Sequence, residues 1–324
     1  MIRMKSIQIR FLFICFHSSI LIAQQEITFT QFHQAQQLFN PAAVGFTEQS
    51  LIQFFNRTQW INLEGAPITQ AYSLRGFAKN KNLGWGLNFL QDKIGPLEQT
   101  TASWDISYHL VLNRDAHVLA IGLKLSAQNF SFNQDILTFQ DSGDSFFDVS
   151  NYGQFKPNIG FGFKYQRRDF FLSLSIPFML DSSEFKTVRH YYFNTGAQVK
   201  FNELWTAQPN ILLRQVQNSP TSFDFNFLVY YQDRFWLGPS WRGRFLYSPK
   251  IESYAPAIGI IGGLNINPNL SVGYNYSRLR GKFFSNGNTG THEFYLKYAF
   301  KTKEENQEKE IGTENKVNTK VQRQ

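Results

Sequence analysis

From Ser103 to Leu112 the chain sorts oil from water residue by residue. Trp104, Ile106, Tyr108, Leu110 and Leu112 alternate with Ser103, Asp105, Ser107 and His109. A strand points successive side chains to opposite faces, so this stretch carries one apolar face and one wet face. The period of two returns along the chain. Leu119, Ile121, Leu123 and Leu125 oppose Ala120, Gly122, Lys124 and Ser126, and Ile159, Phe161, Phe163 and Tyr165 oppose Gly160, Gly162 and Lys164. It recurs over Phe223–Val229 with Leu228 as an exception, over Leu270–Ser277, and over Glu293–Phe300 with Tyr295 and Ala299 as exceptions. Aromatic residues make up 17% of the chain, 34 of them Phe, yet mean hydropathy is −0.32. Many aromatics without a long apolar run point to half-oily, half-wet strands.

Read this way, the sequence predicts fourteen strands near 50–57, 68–78, 83–91, 100–112, 116–128, 158–166, 169–176, 190–201, 204–217, 221–231, 234–247, 254–266, 269–279 and 291–300. Their connections are sorted by length. Every second one is short: Lys79-Asn-Lys-Asn82, Asn113-Arg-Asp115, Arg167-Arg168, Asn202-Glu203, Gln232-Asp233 and Asn267-Pro268. Those between include the longer stretches 58–67, 129–157, 177–189 and 280–290. An outer-membrane barrel keeps tight turns on its periplasmic side and longer loops outside, and its tilted strands cross in roughly ten residues. The expected fold is therefore all-β: a transmembrane outer-membrane β-barrel of about 14 antiparallel strands over residues 50–300. A soluble sandwich or propeller also uses alternation, but neither sorts its turns in this way, and no repeat of propeller length is present.

The ends read differently. Arg3, Lys5 and Arg10 precede the apolar run Phe11–Phe16 and Ile20–Ala23, and polar Gln24-Gln25 follow. That is the pattern of a signal peptide over residues 1–23, too short for a spanning helix. Its removal takes away the only cysteine, Cys15, and lowers the net charge from +8 to +5 by the loss of those three cations. A mild, scattered charge gives no footing for nucleic acid. Residues 24–49 are expected to form a plug-like or rim segment. Within it Thr30–Phe39 is expected to make about three helical turns ending before Pro41, with Phe32 and Phe39 on one side. Residues 301–324 are charged and poor in apolar groups, and read as a disordered periplasmic tail.

Catalytic and metal constellations are scarce. His33, His109, His117, His190 and His292 form no zinc-type pair. Asp105 and His109 share a face but stand about 13 Å apart along the strand, which fits polar lining of a wet interior. Gly160, Gly162 and Gly262-Gly263 lie in alternating strands with no helix after them. They therefore make room for packed interior groups and do not cradle a dinucleotide. Asp141, Asp144 and Asp148 crowd the longest loop without the spacing of a calcium loop, so a solvated loop is expected there. No enzyme, cofactor or metal is expected.

Several short motifs occur together and in order. Arg57-Thr-Gln59-Trp60 is followed by Gly65-Ala-Pro67-Ile-Thr69-Gln70. Asn40-Pro41-Ala42 with Gly45 precedes them; Asp92-Lys-Ile-Gly95-Pro96, Pro157-Asn158-Ile-Gly-Phe-Gly162, Ser175-Ile-Pro177 and His292-Glu293 through Phe300 follow. In this arrangement the chain resembles the PorP/SprF family of outer-membrane proteins associated with type IX secretion and gliding motility, over about residues 24–300. It departs at Phe32, where the family has Tyr, and in its charged tail. The resemblance implies a non-enzymatic accessory in outer-membrane lipid. Such a protein assists secretion or surface attachment of adhesin-like cargo with type IX C-terminal domains, and anchors periplasmic secretion or motility components. It also implies that Asp92–Pro96 is the second outer loop. For the first outer loop, 58–67, the expectation is an interfacial Trp60 and a fold-back fixed by Gly65 and Pro67. The competing reading is a porin-like or fatty-acid-type channel with residues 30–45 as its hatch.

Overall fold

A computed structural model describes residues 27–47, 49–61, 63–78, 82–113, 117–133, 153, 155–181, 188–216, 219–244, 256–279 and 290–300. The expected signal segment, the tail and the acidic stretch 141–148 lie outside the described residues.

The strands are β1 (Leu51–Thr58), β2 (Ile68–Ala78), β3 (Leu83–Ile94), β4 (Leu97–Asn113), β5 (His117–Phe132), β6 (Phe155–Arg167), β7 (Phe170–Ile176), β8 (His190–Ala197), β9 (Val199–Lys200), β10 (Trp205–Val216), β11 (Ser222–Tyr231), β12 (Phe235–Arg244), β13 (Ala257–Asn267), β14 (Leu270–Leu279) and β15 (Gly290–Ala299). The two-residue β9 continues β8 past a break at Gln198, whose N–H donates to the Asp169 carbonyl at 2.7 Å. Together they make one stave of a closed, fourteen-stranded antiparallel barrel. Each strand pairs with its neighbours in sequence, and β1 closes on β15 in register from Leu51 opposite Ala299 to Thr58 opposite His292.

The direction of the alternation decides what surrounds the barrel. Ile121 and Leu125 on β5 are 41% and 40% exposed, whereas Lys124 between them is 1% exposed. A soluble protein would bury the leucines and expose the lysine. Here the oily residues face outward and the polar ones inward, as lipid requires. At the short-turn end Phe170, Phe201, Trp205, Tyr231, Phe235 and Phe300 are exposed and form an aromatic belt, as expected at a membrane interface. Among the described residues no helix is long and apolar enough to cross a membrane; the crossing is made by strands.

Three sequence expectations change. The expected second outer loop is largely strand: Asp92 lies within β3, paired with Thr69 and Gln99, and β3 turns into β4 through Gly95-Pro96 alone. Gly95 has φ +55°, which lets a two-residue turn close where a longer loop was expected. The expected three-turn helix shrinks to one turn, Gln36–Phe39, preceded by irregular turns. Its residues bond to the barrel wall, and those bonds take up groups that a helix would use. The expected strand 190–201 is interrupted at Gln198.

The outward-facing set predicts that Ile260→Arg, on the lipid face of β13 at 57% exposure, destabilises the barrel by about 2–4 kcal/mol. Urea titration of the protein refolded into lipid vesicles reads this directly.

Candidate functional site: the lumen and its N-terminal segment

Polar side chains on the inward face need partners, and residues 28–44 supply many of them. Starting at β1, Gln53 donates to the Gln34 carbonyl (3.3 Å) and Arg57 to the Thr28 carbonyl (2.5 Å). Gln37 donates to the backbone carbonyls of Leu74 on β2 and Leu87 on β3. The Val44 carbonyl meets the Ser107 hydroxyl and the His109 imidazole of β4, each at 2.9 Å. Lys124 of β5 donates to the Gln37 carbonyl, Asn40 to the Phe163 carbonyl of β6, and Ser175 of β7 to the Phe39 carbonyl (2.7 Å). On the opposite wall Asn226 of β11 donates to the Thr30 carbonyl (2.8 Å) and Arg242 of β12 to the Thr28 carbonyl (3.4 Å). Apolar contacts reach the remaining side, where Phe32 and Phe39 cluster with Tyr192 of β8 and Leu212 of β10.

The tightest anchorage lies on the seam where the barrel closes. Arg57 and Glu293 stand directly opposite each other on β1 and β15, with Arg57 Nε 3.2 Å from Glu293 Oε1. Glu293 is 1% exposed and accepts from the Thr30 N–H, the Thr30 hydroxyl and the Gln31 N–H at 2.8–3.2 Å. A buried carboxylate is tolerated when its lone pairs are filled by charged and backbone donors, and Glu293 meets that condition. On the opposite wall Asp224 receives Arg214 and Arg242, so that buried carboxylate is also compensated. The inward aromatic exception Tyr295 stacks near Phe55 (5.1 Å), which in turn lies 5.1 Å from Phe29; its hydroxyl donates to Gln34 Oε1 at 3.0 Å.

The Asn40-Pro41 motif has a local job. The Asn40 side-chain oxygen accepts from the Ala42 N–H at 2.8 Å and caps the short 3-10 turn Pro41–Ala43, with Pro in the first position. That turn lies against glycines of the wall. A Cβ at Gly122 would meet the backbone of Pro41 and Ala42, and one at Gly162 would meet Asn40 and Pro41. The inward glycines of β5 and β6 thus make room, as their alternation predicts. Gly45 leaves the turn at φ +84°, a conformation few other residues adopt.

The remaining motif residues act nearer the outer rim. Gln59 N–H donates to the Pro67 carbonyl (3.0 Å) and Gly95 N–H to the Gly65 carbonyl (2.9 Å), so the first loop folds back and meets the β3–β4 turn. Gly65 has φ +70°, and half-buried Trp60 also has a positive φ, 47°. Gln59 Oε1 accepts from Arg57, Gln70 donates to Asn56, and the Thr69 hydroxyl donates to Asp92. The Pro96 carbonyl accepts from Asn133 N–H. Pro157 opposes Ala127 in β6, and the Asn158 side chain accepts from the N–H groups of Met179 and Leu180 and donates back to the Leu180 carbonyl. His292 contacts the Tyr274 hydroxyl on the outward side, away from its neighbour Glu293. The structure therefore gathers Arg57, Gln59 and Glu293 with one end of residues 28–44 and Asn40, Pro41 and Gly45 with the other, while Asn158 and His292 stand apart. The motifs did not include Thr28, Thr30, Asn226 or Arg242. Alternation had already turned Asn226 inward, but nothing local paired it with residue 30.

Among the described residues, no group of three or more His, Asp or Glu is placed to hold a metal. His33 is 7% exposed in the N-terminal segment. Burial first, and the Lys297 charge second, push its pKa down to about 3 from 6.5. Seated, His33 is neutral; released, it takes a proton below pH 6.5. Seating therefore weakens steadily as pH falls from 6.5 towards 3. Hydrogen exchange of residues 27–46 in this window should rise with acidity, and His33→Gln should flatten the dependence. Glu293→Gln, which strands Arg57 without its counter-charge, should lower unfolding stability by about 3 kcal/mol and increase exchange at residues 28–31.

The profile of the family described as type IX secretion system membrane protein PorP/SprF matches residues 21–298. No curated protein matches the chain. Among solved structures, the CymD monoaromatic hydrocarbon channel superposes with a TM-score of 0.51 at 9% identity, covering 83% of this chain and 93% of its own. The Acinetobacter baumannii outer membrane protein Omp33 gives 0.47 at 10% identity, covering 79% and 100%. The likeness to CymD is one of fold alone.

Proposed function

Because the chain belongs to the PorP/SprF family of type IX secretion system membrane proteins, we propose that it is a plugged, non-enzymatic barrel that works by binding other proteins. It is a protein of the outer membrane, and its family implies association with type IX secretion components. On this reading residues 27–46 are the plug. The observation that carries it is their bonding to ten strands, β1 to β7, β11, β12 and β15, which no freely passing solute would leave undisturbed. A sealed lumen leaves the two mouths as the working surfaces. The outer loops, including the fold-back at 59–67, would receive adhesin-like cargo through its C-terminal domain. The short-turn end would anchor periplasmic machinery.

Two measurements test this. Purified full-length protein in planar bilayers should show no steady conductance; a stable open pore would favour the porin-like or fatty-acid-type channel. Affinity capture from native membranes should recover a large secreted surface protein together with periplasmic secretion components. Recovery of neither would remove the accessory role.

A further inference from the structure

Charge inside the barrel is segregated by height. Among the described residues, Asp92, Asp105, Asp224 and Glu293 are the buried carboxylates on the strands, and each lies at the middle or in the outer half of its strand. Each has a positive or hydrogen-bonding partner there: Asp105 meets Lys124 at 2.9 Å, Asp224 meets Arg214 and Arg242, Glu293 meets Arg57, and Asp92 accepts from Thr69. Three further cations share the inward face near the other end. Arg75 stands three residues before the end of β2 at Ala78, Lys164 three before the end of β6 at Arg167, and Lys297 two before the end of β15 at Ala299. At a strand rise of about 3.3 Å, all three sit about 7–10 Å inside the short-turn mouth.

Among the described residues, none of the three meets a carboxylate. Arg75 and Lys297 flank β1, opposite Leu51 and Gln53, and have no hydrogen bond or ion pair among the described residues. Lys164 is 6% exposed, and its partners among the described residues are neutral: Gln36 Oε1 at 3.0 Å and the rings of Phe46 and Phe171, 4.2 and 5.0 Å from its ammonium. Arg75 and Lys297 stand on either side of β1, two residues apart along it, so their long side chains reach the same part of the lumen; Lys164 stands four strands further round, on β6. Mutually repelling cations inside a lipid-embedded barrel are costly unless an anion joins them. Arg75 and Lys297 keep part of their surface accessible, so an anion can reach them.

We propose that Arg75 and Lys297 form an anion site in the inner mouth of the lumen, taking a phosphate-class dianion from the periplasm. The guanidinium fork of Arg75 matches two oxygens of such a group, and the Lys297 ammonium meets a third. The site is independent of the secretion reading, since it needs neither cargo nor machinery.

Isothermal titration of the detergent-purified full-length protein with inorganic phosphate, against sodium chloride at equal ionic strength, tests it. A saturable phosphate heat and a phosphate-specific rise in Tm are expected. Lys297→Gln and Arg75→Gln should each weaken binding about tenfold or more, while Lys93→Gln, exposed at the outer end of β3, should not change it. Without phosphate, Lys297→Gln should raise Tm by relieving repulsion, a gain that a purely structural lysine would not give. Phosphate heats no larger than those of chloride, or equal binding by wild type and Lys297→Gln, would overturn the assignment.

Discussion

The ladder between the first and last strands is the constraint on which the rest depends. In hydrocarbon an unpaired backbone amide has no water to turn to, so a sheet survives there only when it has no edge. Eight residue pairs between β1 and β15 remove that edge. The closure brings Arg57 and Glu293 opposite each other although they lie at the two ends of the barrel sequence. Their pairing then defines the place where the N-terminal segment is held. Wall closure and lumen filling are thus linked through one ion pair, whose members share a ladder rung and whose further bonds go to residues 28–31 and, from Arg57, to Gln59.

The same linkage explains why residues 30–39 are not a regular helix. A helix satisfies its amides internally, so it gains little from a polar wall. Here the wall offers a carboxylate for the Thr30 and Gln31 amides and donors for the carbonyls of Thr28, Thr30, Gln34 and Gln37. Tertiary hydrogen bonds replace local ones, and the segment keeps helical form only at Gln36–Phe39. Inward glycines at 122 and 162 let its backbone approach the strands where a side chain would hold it away.

Function within the PorP/SprF family is consistent with an interior committed to holding its own chain. Among the described residues the buried acids of the strands are engaged with arginine, lysine or hydroxyl partners. On the proposed reading, partners would meet the two mouths, one built of longer loops and the other of tight turns.

The sequence by itself determined the staves: their number, their oily and wet faces, and the sorting of turns by length. All three follow from a period of two and from turn residues, which act over a few neighbours. It also marked Arg57, Asn40, Gly45 and Glu293 as special by their resemblance to a family, without saying what any of them touches. Only the tertiary structure decided that Arg57 and Glu293 share a rung, that the inward exceptions Leu228 and Tyr295 pack in apolar lumen clusters, and that Asp92 belongs to a strand. Those facts depend on which distant strands become neighbours once the barrel closes, and no local pattern of side chains encodes the far side of a ring.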